Sequence, residues 1–427
     1  MMKYLWRLLF GLGFIGAQLP CAQWLNVVMA TDRNYVIPTA VAMKSLIEAE
    51  KNSEIQLRFI IFVDKAAEEN QPEWRELYEP LLTQMKQVNP EHVEVKLLDI
   101  THFKDPLLTA ATEKYHNKLI ALRLVFPKIW EDQKLPGASA ELFAGVRSFL
   151  WLDSDVLVMQ SLKPLLTEVG YGTGTRKKQP IISANLDFIR SEHDDKVAYH
   201  KYEIWSYSGH FPPGDVGLSD APGSARVSGG VVLWSLDDMP EVEDLELGFP
   251  RGRLRRQGNF DTSVLTCCFY VTIQSTEESV FDTLLRQSQK QIYFFSTTYN
   301  CRPGYIPVAQ NFLNPFESLE VAIGSKELSY VKGTERQKTF ETLQQIAEQN
   351  VAIWHWDYSA NTVTPQERSQ IPQGVLPELK PWCVRTAADK SPEALWRQKY
   401  KEVKQSFEDN TEITQLFTAW EAQNFKG

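Results

Sequence analysis

Cysteine is scarce in this chain. Five occur among 427 residues and none forms a C-x-x-C pair, so neither a thiolate zinc site nor a redox dithiol is indicated. Cys21 lies in the N-terminal segment, and neighbouring Cys267 and Cys268 sit in an apolar run as small hydrophobes. Basic charge is short as well. Lys and Arg number 45 against 54 Asp and Glu, a net charge of −9 that leaves no footprint for nucleic acid. One local run, Arg251, Arg253, Arg255 and Arg256, stands against that background and suits either a solvated loop or contact with an anionic acceptor or membrane surface. No Asn-x-Ser/Thr sequon occurs, which points towards a bacterial envelope or secreted protein.

What is present is ordinary globular material, 43% hydrophobic and 23% charged, enough for one large α/β domain with additions or for two domains. Residues 1–25 stand apart. Lys3 and Arg7 flank an apolar segment, Leu8 to Ala17, followed by Pro20-Cys21-Ala22, which reads as a secretory signal or an uncleaved anchor. No linker separates it from the first strand, so an anchored chain would sit against the membrane. Strands are expected at 25–31, 56–63 and 92–98, with a helix after Pro38, another between the second and third strands, and one at 116–126 stopped by Pro127. Such alternation predicts a mostly parallel sheet, with ligands beyond the carboxyl ends of its strands. The polar stretch 189–225 is long for a plain connection and reads as a substrate-facing excursion. Its His193, His200 and His210 are spaced too irregularly for a metal site.

The chemistry concentrates at residues 149–159, Phe-Leu-Trp-Leu-Asp-Ser-Asp-Val-Leu-Val-Met. The apolar run reads as a buried strand, and Asp153 and Asp155 fall where it should end. Two carboxylates beside a core need a positive partner. A hard divalent cation carrying a phosphorylated ligand meets that need; a turn cap with a solvated neighbour is the alternative.

This stretch resembles the Asp-x-Asp signature of metal-dependent nucleotide-sugar transferases, specifically glycosyltransferase family 8. Further motifs follow in the family's order. Ala30-Thr31-Asp32-Arg33-Asn34-Tyr35 is similar to its uridine loop, Arg123-Leu124 to its Arg helix, and Arg226 to Leu236 to its Gly-Gly strand. Asn259 to Thr266 is similar to its Asp-Gln-Asp block, and His355 with Lys380-Pro381-Trp382 to its closing His and Lys motif, with 357–379 as an insertion. The resemblance implies a GT-A fold over 26–400, a mostly parallel central sheet flanked by helices, with a C-terminal helical tail at 401–427. It implies Mn²⁺, or Mg²⁺, held by Asp153, Asp155 and His355, and a UDP-hexose donor, galactose or glucose. Ala30, Asp32 and Asn34 would hold the uridine and ribose. Arg123 would reach the diphosphate or sugar, with Ser154 also on the donor. Asp187, Ser228, Gly229, Asp261 and Thr262 would lie at the sugar, and Lys380 would add charge at the departing UDP. Retention of configuration and a glycan, glycolipid or lipopolysaccharide-type acceptor are further implications.

The chain departs from the family where Ser228 replaces Asn, Thr262 replaces Gln and Ser263 replaces the second Asp. Those departures motivate a second reading, a UDP-sugar-binding protein without turnover. A phosphatase with Asp153 as nucleophile is a third. Leu157 and the late position of the motif argue against it.

Overall fold

The computed structural model describes residues 23–64, 72–106, 118–132, 148–171, 182–184, 189–190, 202–203, 229–235, 292–303, 344–356, 380–383 and 390–425, with a few single positions between them. Asp187, Ser228, Asp261 and Thr262 lie outside the described residues, as do the Leu8 to Ala17 segment, the Arg251 to Arg256 run, Cys267, Cys268, the three excursion histidines and the 357–379 insertion.

The chain opens with β1 (Gln23–Thr31), α1 (Val36–Ala49), β2 (Ile55–Val63), α2 (Pro72–Gln84) and β3 (Val93–Asp99). Then come α3 (Leu122–Asp132), β4 (Ser148–Leu152), β5 (Val156–Val158), α4 (Lys163–Val169), β6 (Ile182–Ala184), β7 (Ile189–Arg190) and β8 (Tyr202–Glu203). β9 (Val231–Ser235), β10 (Ile292–Phe294), β11 (Ile353–His355), α5 (Pro392–Gln405) and α6 (Thr411–Asn424) complete it. Among the described residues seven strands form one sheet in the order β10-β6-β9-β4-β1-β2-β3, and β11 pairs with β5 in a separate ribbon. β1 runs parallel to β2 and β4, and β2 to β3, as the alternation predicted. β9 is antiparallel to both β4 and β6. That reversal brings the start of β9, rather than its end, to the carboxyl edge of the sheet.

Both faces of the sheet are covered, which is why its strands read as near-continuous apolar runs. On one side Leu25, Val27, Met29, Phe59, Ile61 and Leu150 join α1 and α2 in the main core. α1 is buried from Val36 through Ile47, including Thr39, Lys44 and Ser45, and is otherwise apolar over that run. On the other side Phe126 of α3 meets Phe62 at 5.3 Å and Phe149 at 4.4 Å between ring centroids, and Trp130 stacks on Phe149 at 6.2 Å.

Two sequence expectations are corrected. α1 starts at Val36, ahead of Pro38, because a proline in the first turn has no helical N–H to lose. α3 runs through Pro127 to Asp132 instead of stopping. An internal proline costs about 3 kcal/mol, while fully burying each of Val125, Phe126, Ile129 and Trp130 is worth about 1.5–3 kcal/mol, so packing wins. β4 ends at Leu152, where the two carboxylates were expected to end it, and the run resumes after Asp155 as β5, which leaves the main sheet. At α4, Ser161 Oγ accepts from the Lys163 amide at 3.1 Å, although Leu162 is the cap residue.

The C-terminal helices belong to the core. α5 runs across position 401 and packs on α1, while α6 packs on α2. Ser391 caps α5 through the Ala394 amide at 3.2 Å and Asn410 caps α6 through Ile413 at 3.1 Å. Among the described residues no helix is long and apolar enough to cross a membrane.

Candidate functional site

From β1 the chain goes one way to β2 and β3, then crosses back to β4 on the other flank of β1. In an open α/β sheet such a switch point leaves a crevice outside the carboxyl ends of the two strands. The Asp32 to Tyr35 loop follows β1, and Asp153-Ser154-Asp155 follows β4, so the topology sets both at that crevice.

Asp155 is buried and Asp153 half-buried. Trp151 Nε1–H donates to Asp153 Oδ1 at 2.7 Å, and Arg123 stands 3.5 Å from Asp153 Oδ2 while its guanidinium lies 5.9 Å over the Trp151 ring. Lys380, 3% exposed, donates its ammonium to Asp155 Oδ2 and to the Trp356 carbonyl. Burial opposes ionisation of Asp155, but Lys380 and then His355 outweigh it and hold the carboxyl well below the usual carboxylate range. The counter-charge expected of a bound cation is thus supplied in part by the chain's own Lys380 and Arg123.

It is supplied only in part. Among the described residues Asp155 Oδ1 is buried with no hydrogen-bond partner, although His355 Nε2 stands at 3.5 Å. His355 Nε2 is also 3.7 Å from Asp153 Oδ2, and one ligand atom from each of Asp153, Asp155 and His355 lies within 4.8 Å of the others. His355 arrives through the β5–β11 ribbon, where it pairs with Val156, next to Asp155. Its Nδ1–H donates to Asn300 Oδ1 at 2.9 Å, which directs Nε2 at the two carboxylates. Two carboxylate oxygens and an imidazole nitrogen around one point fit a divalent cation.

Gly229 and Gly230 have a more internal role than the sequence suggested. A Cβ at Gly229 would overlap the Arg123 guanidinium, and one at Gly230 would overlap the His355 ring. The close approach is made by the chain's own side chains, and the Gly230 carbonyl accepts from the Asp153 amide at 2.9 Å. Ser154 is likewise engaged internally. Its hydroxyl donates to the Ala30 carbonyl at 2.9 Å and accepts from Thr39 at 2.8 Å, tying the Asp-x-Asp turn to the end of β1.

In the loop, Asp32 Oδ1 accepts from the Asn34 amide at 2.9 Å and the Tyr35 amide at 3.2 Å, an Asx turn that leaves Asn34 exposed. Burial, followed by Asp155, Asp32 and Asp153, pushes the Tyr35 phenol far above its ordinary value, so it stays a neutral donor. The structure therefore gathers Ala30, Asp32, Asn34, Arg123, Ser154, Asp153, Asp155, Gly229, His355 and Lys380 around one crevice. Sequence reading gave no role to Asn300, Trp151, Thr39 and Tyr35.

Residues 26–169 match the model of Glycosyl transferase family 8. No curated protein matches the chain. Among solved structures, galactosyltransferase LgtC in complex with donor and acceptor sugar analogs is 15% identical, covering 88% of this chain and 96% of its own at a TM-score of 0.46. An active-site mutant of LgtC is 17% identical, with 90% and 96% covered and a TM-score of 0.47. Mouse xyloside xylosyltransferase 1 is 13% identical, with 80% and 100% covered and a TM-score of 0.42.

Proposed function

Residues 26–169 carry the signature of glycosyl transferase family 8, a glycosyltransferase family, and from that premise we propose that the chain moves a hexose, galactose or glucose, from a UDP-sugar to a glycan or glycolipid acceptor. The observation that supports this most is the triad of Asp153, Asp155 and His355, with its unsatisfied Asp155 oxygen, at the switch point of the sheet. Those three residues would hold Mn²⁺, since mixed carboxylate and imidazole ligation with diphosphate oxygens suits it, or Mg²⁺ in its place. When bound, the metal neutralises charge on the departing diphosphate.

Charge balance makes donor and metal partners in binding. Asp153 and Asp155 already face Arg123 and Lys380, two negative groups against two positive ones. A divalent cation entering alone would leave an excess of positive charge in a partly buried site, and a diphosphate removes it. Lys380 and Arg123 then stabilise negative charge where it develops. By the family resemblance the Ala30 backbone, Asp32 and Asn34 would hold the uridine and ribose and Asp187, Ser228, Asp261 and Thr262 would serve the sugar, while Gly229 leaves room for the Arg123 guanidinium. Retention follows from same-face attack, with the acceptor proton passing to the leaving phosphate. A lipopolysaccharide-type acceptor and a place in the secretory pathway or cell envelope complete the reading, with residues 1–25 as leader or anchor.

The test is UDP release from a panel of UDP-sugars with Mn²⁺ or EDTA, beside Asp153→Ala and Asp155→Ala. Metal-dependent release from one donor, lost in both variants, establishes the transferase. Intact donors, with UDP raising the melting temperature only when Mn²⁺ is present, would leave a sugar-nucleotide binder without turnover.

A further inference from the structure

α6 lies at the far end of the chain and touches the proposed donor site. Trp420 is fully buried, and its indole N–H donates to the Asn34 carbonyl at 2.9 Å across 386 residues. The contact is part of a closed circuit of aromatic rings. Tyr35 meets Trp382 edge-on at 6.0 Å, and Trp382 in turn meets Trp420 at 5.9 Å and Trp396 at 5.3 Å. Trp382 is two residues from Lys380, so one cluster braces both the loop after β1 and the segment that carries the site's lysine.

Within the loop, Asp32 restrains the Asn34 and Tyr35 amides from inside the turn. Trp420 restrains the same peptide from outside, by its carbonyl. Asn34 itself is exposed and supplies no packing of its own. A short loop whose backbone must present fixed donors and acceptors to a base needs such support. We infer that Trp420 is a positioning residue for the nucleotide loop, so that α6 is part of the donor site rather than an appended tail. This rests on the UDP-sugar reading and extends it.

Trp396 provides an internal control. It is equally buried in the same cluster, but its indole nitrogen has no hydrogen-bond partner among the described residues. The experiment compares full-length wild type, Trp420→Phe and Trp396→Phe by UDP titration at saturating Mn²⁺, Mn²⁺ affinity without UDP, and thermal melts. Loss of one hydrogen bond to the loop predicts about fivefold weaker UDP binding in Trp420→Phe. Mn²⁺ affinity should be unchanged there, and UDP affinity unchanged in Trp396→Phe. In turnover, donor KM should rise with kcat preserved. Equal UDP affinity in wild type and Trp420→Phe, or the same weakening in both variants, would overturn the inference and leave Trp420 as packing. If Trp420→Phe does not fold, benzothienylalanine at 420 keeps the ring volume and replaces the N–H by sulfur, giving the same comparison. A wild-type chain that binds no UDP with Mn²⁺ overturns the UDP-sugar reading itself, a result distinct from any difference between variants.

Discussion

The two ends of β4 are built to opposite specifications. At its amino end Tyr171 closes the gap to β1 where the ladder is short: its hydroxyl accepts from the Asn26 amide at 3.2 Å and donates to the Ser148 carbonyl at 2.9 Å. Burial pushes that phenol up to about 12, so the hydroxyl stays neutral, and both backbone groups are satisfied. At its carboxyl end two carboxylates, an arginine, a lysine and an imidazole converge, and one buried oxygen is left over. The same strand thus carries a saturated joint at one end and, at the other, a charged one with a buried oxygen left unpartnered among the described residues. Saturation stabilises; unsatisfied polarity at a crevice stores a demand for a ligand.

Removing Asp155 should break the comparison most severely. Asp155→Ala strands a Lys380 ammonium that is 3% exposed, and leaving a buried charge unpaired costs about 3–5 kcal/mol. Asp153→Ala should cost far less because its side chain is 21% exposed, while both variants lose UDP release. Urea titrations without metal separate the two, and equal losses would show that Lys380 does not depend on Asp155. Next in size, Asn300→Leu should lower Mn²⁺ affinity by about 10–100-fold by freeing the His355 ring, with little change in the urea midpoint. Electron paramagnetic resonance of free Mn²⁺ reads this directly, and unchanged affinity would remove Asn300 from the site. Tyr171→Phe should give the mirror image. About 1–3 kcal/mol of stability is lost as the Asn26 backbone amide loses its partner, the Ser148 carbonyl keeping Asn26 Nδ2 at 3.4 Å, with Mn²⁺ affinity untouched.

The smallest effect concerns the joint between α5 and α1. Burial opposes ionisation of Glu48, but Lys399 and then Lys44 outweigh it and hold its carboxyl below the ordinary 4.5. A depressed carboxylate contributes stability that is present above the unfolded value and disappears as pH falls through the lower folded one. Lys399→Ala should therefore reduce the melting temperature at neutral pH and flatten its decline below about pH 4.5, where wild type loses the same interaction. Parallel melting curves for the two proteins across that range would contradict the pairing.

Much of the first half was legible because its signals are local. β1, β2 and β3 fall within a residue or two of their expected positions, since apolar runs of strand length bounded by polar turns carry their own boundaries. The Asp32 turn and the break after Leu152 were likewise visible in residue type. Prolines misled the reading twice. Pro38 and Pro127 were weighed by backbone rules alone, whereas burial of the surrounding helix decided their fate.

The sequence by itself determined that this is a mostly parallel α/β protein whose chemistry centres on Asp153 and Asp155, because periodicity and residue chemistry act over a few positions. Only the tertiary structure decided what meets those carboxylates. The antiparallel register of β11 sets His355 opposite Val156, reversal of β9 sets Gly230 under that imidazole, and Asn300 is drawn in to orient it. The packing of α6 sends Trp420 back to Asn34. Each of these contacts depends on strand register or helix docking across long separations, and those are settled by burying the whole core at once.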